Sequence, residues 1–200
     1  MDLDLKDFKM EEIYKETCWI DIESSYRTHN LAQTLYDYVR ETKPKVIVEF
    51  GCLYGYSTIA MALALKQNNG GVIYCYDLWE DYAYKHTTQT TTVDNIQKYG
   101  VQDYIKLVKG DYYEWLNNPS HFDLLHLDIS NDGAVIEKTY DGLVEHIKNG
   151  SAILFEGGSV ERDNVEWMKK YNKKPIQSVK DYTNYKILNS NFPSISIIQA

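Results

Sequence analysis

The sequence predicts a single α/β domain, a mostly parallel sheet with helices on both faces. Three observations carry that expectation. The chain has 200 residues, the size of one ordinary domain with a substantial core. Short apolar runs alternate with stretches of helical period, which implies right-handed crossovers and parallel strands. Five of those runs end in glycine or an acidic residue.

Along the chain, Leu31, Leu35 and Val39 recur at helical spacing, and Pro44 stops that helix before a strand from Lys45 to Phe50. The loop Gly51 to Gly55 follows, then a helix over Ser57 to Leu65, whose small residues allow close packing on a sheet. A second strand, Val72 to Tyr76, ends at Asp77. A helix around Val93 to Tyr99 leads to a third strand, Tyr104 to Val108, which ends at Gly110-Asp111. The fourth, Phe122 to Leu127, ends at Asp128. Ile136, Tyr140, Leu143, Val144 and Ile147 mark an amphipathic helix from Ala134 to His146, closed by Asn149-Gly150 before the fifth strand, Ala152 to Phe155, and Glu156. A helix over Val160 to Tyr171 and two further strands, Tyr185 to Leu188 and Ser194 to Ile198, complete a seven-stranded sheet. Residues 1–30 fit none of this pattern and are expected to form an N-terminal helical cap or lid ahead of the domain at 31–200.

Composition removes several function classes. Lys and Arg total 21 against 29 Asp and Glu, a formal charge of −8 with no basic run to track a phosphate backbone, so no nucleic-acid partner is expected. The longest apolar stretch, Ile59 to Leu65, is far short of the roughly 20 residues that span a bilayer. The acidic start MDLDLKDFKM is unlike a signal peptide, and the expectation is a cytoplasmic protein with no membrane partner. Cys18, Cys52 and Cys75 are odd in number and lack CxxC spacing, which suggests reduced thiols in place of a disulfide framework or a zinc site. Eighteen tyrosines against five phenylalanines suit the rim of a pocket for an organic ligand, or reflect compositional bias. A homodimer is left open.

In a parallel sheet the ligand lies at the carboxyl ends of the strands, which here read Glu49-Phe50-Gly51, Asp77, Asp111, Asp128 and Glu156. Such a row repels a phosphate-rich ligand and welcomes a cationic or hydroxyl-rich one. The sharpest signal is Val46-Ile47-Val48-Glu49-Phe50-Gly51-Cys52-Leu53-Tyr54-Gly55-Tyr56-Ser57, a buried strand running through a glycine loop into a helix N-terminus. A dinucleotide site would need GxGxxG so that pyrophosphate meets the helix dipole. The loop has GxxxG, and Glu49 would oppose pyrophosphate, so NAD is the weaker reading.

Glu49, Gly51, Gly55 and Ser57 match position by position the form E/D-x-G-x-x-x-G-x-S. The segment thereby resembles the first motif of the class I S-adenosylmethionine-dependent methyltransferases, and the resemblance extends over roughly residues 30 to 170. It implies a single-domain Rossmann-like methyltransferase fold and S-adenosyl-L-methionine as cofactor. Gly51 and Gly55 would line its methionine portion beside Tyr54 and Ser57, with the Glu49 carboxylate near its amino group, often through water. Asp77 would accept the ribose hydroxyls, Leu78 and Trp79 would flank the adenine, and Asp111 would take the adenine amino group with Tyr112 beside it. Tyr76 to Asp81 also resembles the D-x-W-x-D stretch of one small-molecule methyltransferase group. Taken singly, each of these aspartates could instead be a helix cap or a solvated loop residue.

Methyl transfer is an in-line displacement, so the protein must position, exclude water and deprotonate the acceptor. The acceptor candidates after strands four and five are Asp128, Ser130, Asn131, Asp132 and Glu156, with Asp128 at the cofactor mouth as well. Related methyltransferases that resemble this region carry I-D-G-D-H-S-Y. Here Leu127-Asp128-Ile129-Ser130-Asn131-Asp132-Gly133 lacks that His, so its role as base is lost. By resemblance to catechol-type O-methyltransferases, Asp128 and Glu156, with Asp132, could hold Mg²⁺ through waters. Otherwise Asp128 and Asp132 are turn or N-cap residues of the following helix. His126 reads as a core residue, His86 as a loop residue, and Arg162 as an ion-pair partner at a helix start. His29, in the expected lid, can reach the cofactor mouth and touch the acceptor. Asn117-Asn118-Pro119-Ser120 precedes strand four and reads as a turn.

The reading is an S-adenosylmethionine-dependent methyltransferase acting on a small molecule at oxygen, with Asp128 and His29 as catalytic candidates. A non-catalytic S-adenosylmethionine-binding protein is the alternative. An NAD(P)-dependent oxidoreductase and, by analogy alone, a cephalosporin hydroxylase-like activity stand further off.

Overall fold

A computed structural model describes residues 17–84 and 86–200. In chain order the main elements are α1 (Leu31–Thr42), β1 (Val46–Phe50), α2 (Tyr56–Gln67), β2 (Val72–Asp77), α3 (Gln89–Lys98), β3 (Ile105–Lys109), α4 (Tyr112–Leu116), β4 (Leu124–Leu127), α5 (Gly133–Lys148), β5 (Ala152–Glu156), α6 (Val160–Asp163), α7 (Glu166–Lys170), α8 (Lys180–Thr183), β6 (Lys186–Asn189) and β7 (Ile195–Ile198). The sheet runs β3-β2-β1-β4-β5-β7-β6. Pairings among β1 to β5 are parallel, and β7 is antiparallel to both β5 and β6. The expected seven-stranded, mostly parallel sheet is therefore present.

Strand alternation divides the interior into two cores. Leu124, Ala152 and Leu154 belong to the core beneath α1 and α2, while Leu125, Leu127, Ile153 and Phe155 belong to the one beneath α4 and α5. The α2 sequence YSTIAMALALKQ is apolar nearly all round, and the helix is accordingly buried between β-sheet and α1.

Two differences from the sequence reading have local causes. The helix expected over Val160 to Tyr171 is two short helices, α6 and α7, interrupted at Asn164-Val165, where Val165 is extended. The helix α4 was not expected; Asp111 starts it by accepting from the Tyr113 and Glu114 N–H groups at 2.7 and 3.2 Å.

The cap expected over residues 1–30 can be followed only from Thr17, since residues 1–16 lie outside the described residues. From there Ile20, Ile22 and Tyr26 sink into the first core. Tyr26 sits in a 3-10 turn, Ser25–His29, started by the Ser24 hydroxyl. The Tyr99 hydroxyl pins the segment, accepting from Asp21 N–H at 2.5 Å and donating to Trp19 O at 3.0 Å. This wall is thus fastened to the body at several points.

Candidate functional site

A cavity of about 480 Å³ opens along the carboxyl ends of β1 to β4, within the size range of small-ligand sites. Its walls include Gly51, Leu53, Tyr54, Ser57, Asp77, Leu78, Asp111, Tyr112 and Asp128, with Glu23, Ser24 and Ser25 supplied by the N-terminal segment. Most residues expected to hold a cofactor therefore meet in one place. Gly55 caps α2 in a left-handed conformation at φ +91, immediately beside this wall.

The glycine loop is shaped from behind. At Gly51, φ is +88 and an added Cβ would lie 1.8 Å from the Asp128 carbonyl oxygen, so the loop can pass the end of β4 only without a side chain. Leu53 adopts φ +46, an unfavourable value for leucine, and its N–H donates to Asp77 Oδ2 at 2.8 Å. Asp77 Oδ1 accepts from Leu78 and Trp79 N–H at 2.7 and 3.0 Å. Three of about four acceptor positions on this carboxylate are filled by backbone, and Oδ2 keeps the free one. Asp111 lines the cavity and caps α4 through Oδ1, so Oδ2 takes no part in the cap.

Besides Gly55, two expected cofactor residues are not on the wall. Glu49 is fully buried behind the loop, where it accepts from Ser57 Oγ at 2.6 Å, Thr58 Oγ1 at 2.5 Å, Cys75 Sγ at 3.4 Å and His126 Nδ1 at 3.0 Å. Burial alone would raise its pKa, but the His126 contact and the two hydroxyls outweigh that and hold the carboxyl below its ordinary value. Trp79 is likewise buried. Its Nε1 donates to Thr92 Oγ1 at 3.0 Å, and that hydroxyl donates to Leu53 O at 2.6 Å, so Trp79 supports the glycine loop from below. On the wall, the Tyr54 hydroxyl donates to His86 O at 2.8 Å, and the Tyr112 and Thr139 hydroxyls are bonded to each other. Under the same end, Phe50 stacks on Tyr76 with ring centroids 4.9 Å apart and meets Tyr112 edge-on at 5.3 Å.

The acceptor side differs from expectation more. His29 ends the 3-10 turn exposed on the surface and does not line the cavity, because the turn commits Tyr26 inward. The metal reading is also corrected. Asp132 is the N-cap of α5, accepting from Ala134 and Val135 N–H at 2.9 and 3.2 Å, and it is ion-paired with Lys173 at 3.1 Å. Glu156 is paired with the Nε of buried Arg162 at 2.6 Å. With two of the three carboxylates so engaged, the donor set does not fit Mg²⁺, and among the described residues no group of three His, Cys, Asp or Glu could hold a metal ion. Asp128 remains at the lip. Loss of hydration first, then the charges of Glu156 and Glu49, push its carboxyl well above the ordinary carboxylate range.

Sequence reasoning missed Tyr26, whose buried hydroxyl lies beside Asp128. It underrated Asn131, whose Nδ2 donates to Leu127 O at 2.9 Å and Glu156 O at 3.3 Å and so clamps the ends of β4 and β5. Tyr26 carries no local signal; the substitution of Asn131 for the family's His could have been noticed as a new clamp.

Comparisons with known proteins bear on the family and the fold. A family model described as a methyltransferase domain matches residues 48–156. A release factor glutamine methyltransferase of Clostridium botulinum is 30% identical over 122 residues, 60% of this chain and 39% of that protein, so the shared part spans well under half of the relative. Among solved structures, the methyltransferase PaMTH1 of Podospora anserina, bound to SAH, superposes with a TM-score of 0.63 at 14% identity, over 100% of this chain and 97% of that one. An O-methyltransferase of Bacillus cereus in complex with SAH gives 0.60 at 18% identity, over 99% and 93%. At these identities the two structures establish likeness of fold. Among the described residues no helix is long and apolar enough to cross a membrane.

Proposed function

The chain belongs to the methyltransferase-domain family, and from that premise we propose that it transfers a methyl group from S-adenosylmethionine to a hydroxyl of a small molecule. The observation that carries the proposal is the cavity at the carboxyl ends of β1 to β4, with Asp77 and Asp111 at one end and Asp128 at the other. The residues fit such a cofactor. The glycine loop brings backbone to the wall, Asp77 and Asp111 each keep an oxygen available for hydroxyl or amino hydrogens, and the acidic walls favour a positive ligand. The O-methyltransferase name of the Bacillus cereus structure supports oxygen as the target.

When bound, S-adenosylmethionine supplies a methyl group already activated by its sulfonium. Leu78 would hold the nucleoside end together with Asp77 and Asp111, and Tyr54 with Ser57 would line the methionine end. Glu49 and Trp79 act from behind by fixing the loop. Asp128 accepts the proton of the acceptor hydroxyl, and its raised pKa brings it nearer to that task than an ordinary carboxylate.

Calorimetry with S-adenosylmethionine and SAH, followed by transfer of labelled methyl to a panel of phenols and alcohols, tests the reading. Binding of both ligands and labelling of a hydroxyl compound are the expected results. Absence of binding by either would overturn it, and labelling confined to amines or to a glutamine-containing peptide would overturn the assignment to oxygen.

A further inference from the structure

Leu127 and Phe155 are register partners on neighbouring parallel strands, so the residues that follow them, Asp128 and Glu156, emerge side by side from one face of the sheet. Adjacent strands lie about 5 Å apart, which puts two carboxyls in mutual contact. The groups facing them are Glu49 and His126 on the same face, Tyr26 from the covering 3-10 turn, and Arg162 from α6. Arg162 is committed to Glu156 through Nε, and its Nη2 donates to Asn131 O at 3.3 Å. Among the described residues no cation is ion-paired with Asp128.

Here the fold leaves polar atoms without partners. Tyr26 Oη, His126 Nε2, Asn131 Oδ1 and Arg162 Nη1 are all buried and make no hydrogen bond of ordinary geometry. The four residues are 1%, 0%, 0% and 4% exposed. Orphaned groups of this kind cost about 1–3 kcal/mol each, so their concentration behind Asp128, the member of this corner that lines the cavity, marks a place kept for more than stability.

Resting on the methyltransferase reading, we propose that this corner is the acceptor subsite, in which Tyr26 and Arg162 position the Asp128 and Glu156 carboxyls and the group received is an uncharged hydroxyl. A hydroxyl can donate to Asp128 and still accept a hydrogen bond. An anion would meet Asp128, Glu156 and Glu49 with only the engaged Arg162 to offset them. The remaining walls add Glu23, Asp77 and Asp111, and no described Lys or Arg lines the cavity. Nearby cations are occupied elsewhere, Arg27 with Asp21 and Lys109 with Glu80 and Asp81.

The test titrates phenol and benzoate at neutral pH, similar in shape but one uncharged and the other an anion, into the SAH-saturated protein. Phenol should bind, and benzoate should bind at least about tenfold more weakly. Tyr26→Phe should fold with little change in Tm, since the hydroxyl it removes approaches only the Asp128 carboxyl, and should weaken phenol several-fold. Asp128→Asn should narrow the phenol-to-benzoate ratio, a change that a merely structural role would not produce. Equal binding of the two probes, a ratio unaltered in both variants, or no phenol binding where SAH binds would each overturn the proposal. Failure of SAH itself to bind would instead overturn the cofactor reading, and the phenol titration repeated on the free protein then decides the subsite by itself.

Discussion

Asp77 and Asp128 both stand at the carboxyl end of a parallel strand on the lip of one cavity, and their surroundings are opposite. Asp77 accepts three backbone N–H groups and ties the loop after β2 to the glycine loop. Asp128 faces another carboxylate across the strand pair, with a tyrosine hydroxyl and several unpaired buried atoms around it. One end of the cavity is built to be complete before anything binds, the other to be completed. Strain held against stability is a common mark of a site whose partner is outside the chain.

Substitutions can break this contrast, most severely at the complete end. Gly51→Ala forces a Cβ into the Asp128 carbonyl at an unfavourable φ, and should cost about 3 kcal/mol or more in chemical denaturation and abolish SAH binding. Asp77→Ala strands three backbone donors and releases Leu53 from its strained conformation; a loss of about 2 kcal/mol and at least about tenfold in SAH affinity is expected, read by denaturation and calorimetry. Asp111→Ala removes an N-cap, for about 1 kcal/mol of stability and a smaller loss of affinity. Asp128→Asn should leave Tm unchanged or raise it while methyl transfer falls roughly 100-fold or more. A loss of Tm there as large as at Asp77 would erase the distinction between the two ends.

The smallest effect is on the pH dependence of stability. The folded Asp128 pKa is raised, so the folded state binds the extra proton, and the protein should lose stability as pH rises from about 4 through the folded value. Glu49, with its lowered pKa, contributes in the opposite sense, losing its stabilisation as pH falls below about 4. Comparing Tm across pH for the wild type and Asp128→Asn isolates the first trend, which should vanish in the variant.

Periodicity located all seven strands to within about two residues; the central ones are buried on both faces and read as apolar runs with polar ends, while β3 and the exposed β6 at the sheet edges read as short β-branched or apolar runs. The glycine loop was equally legible, not from GxxxG alone, which also serves simple helix–strand packing, but from its place between a strand carrying Glu49 and a helix. Which way Glu49 points was not legible: the side chain turns inward because His126, Ser57 and Thr58 meet it there, and those partners lie up to 77 positions away along the chain. His29 failed as a candidate for a related reason, since either Tyr26 or His29 of a five-residue turn could have faced the site, and packing against the sheet selected Tyr26.

The sequence by itself determined the order of the parallel strands' ends, and hence a row of acids along one edge, because hydrophobic period and loop chemistry act locally. The tertiary structure decided which of those acids are satisfied. Register brought Asp128 beside Glu156, α6 supplied Arg162 to only one of them, and the N-terminal segment placed Tyr26 against the pair. Hydrogen bonds between residues far apart in the chain exist only once strands are aligned. The character of a carboxylate at a strand end is therefore settled by its neighbours across the sheet.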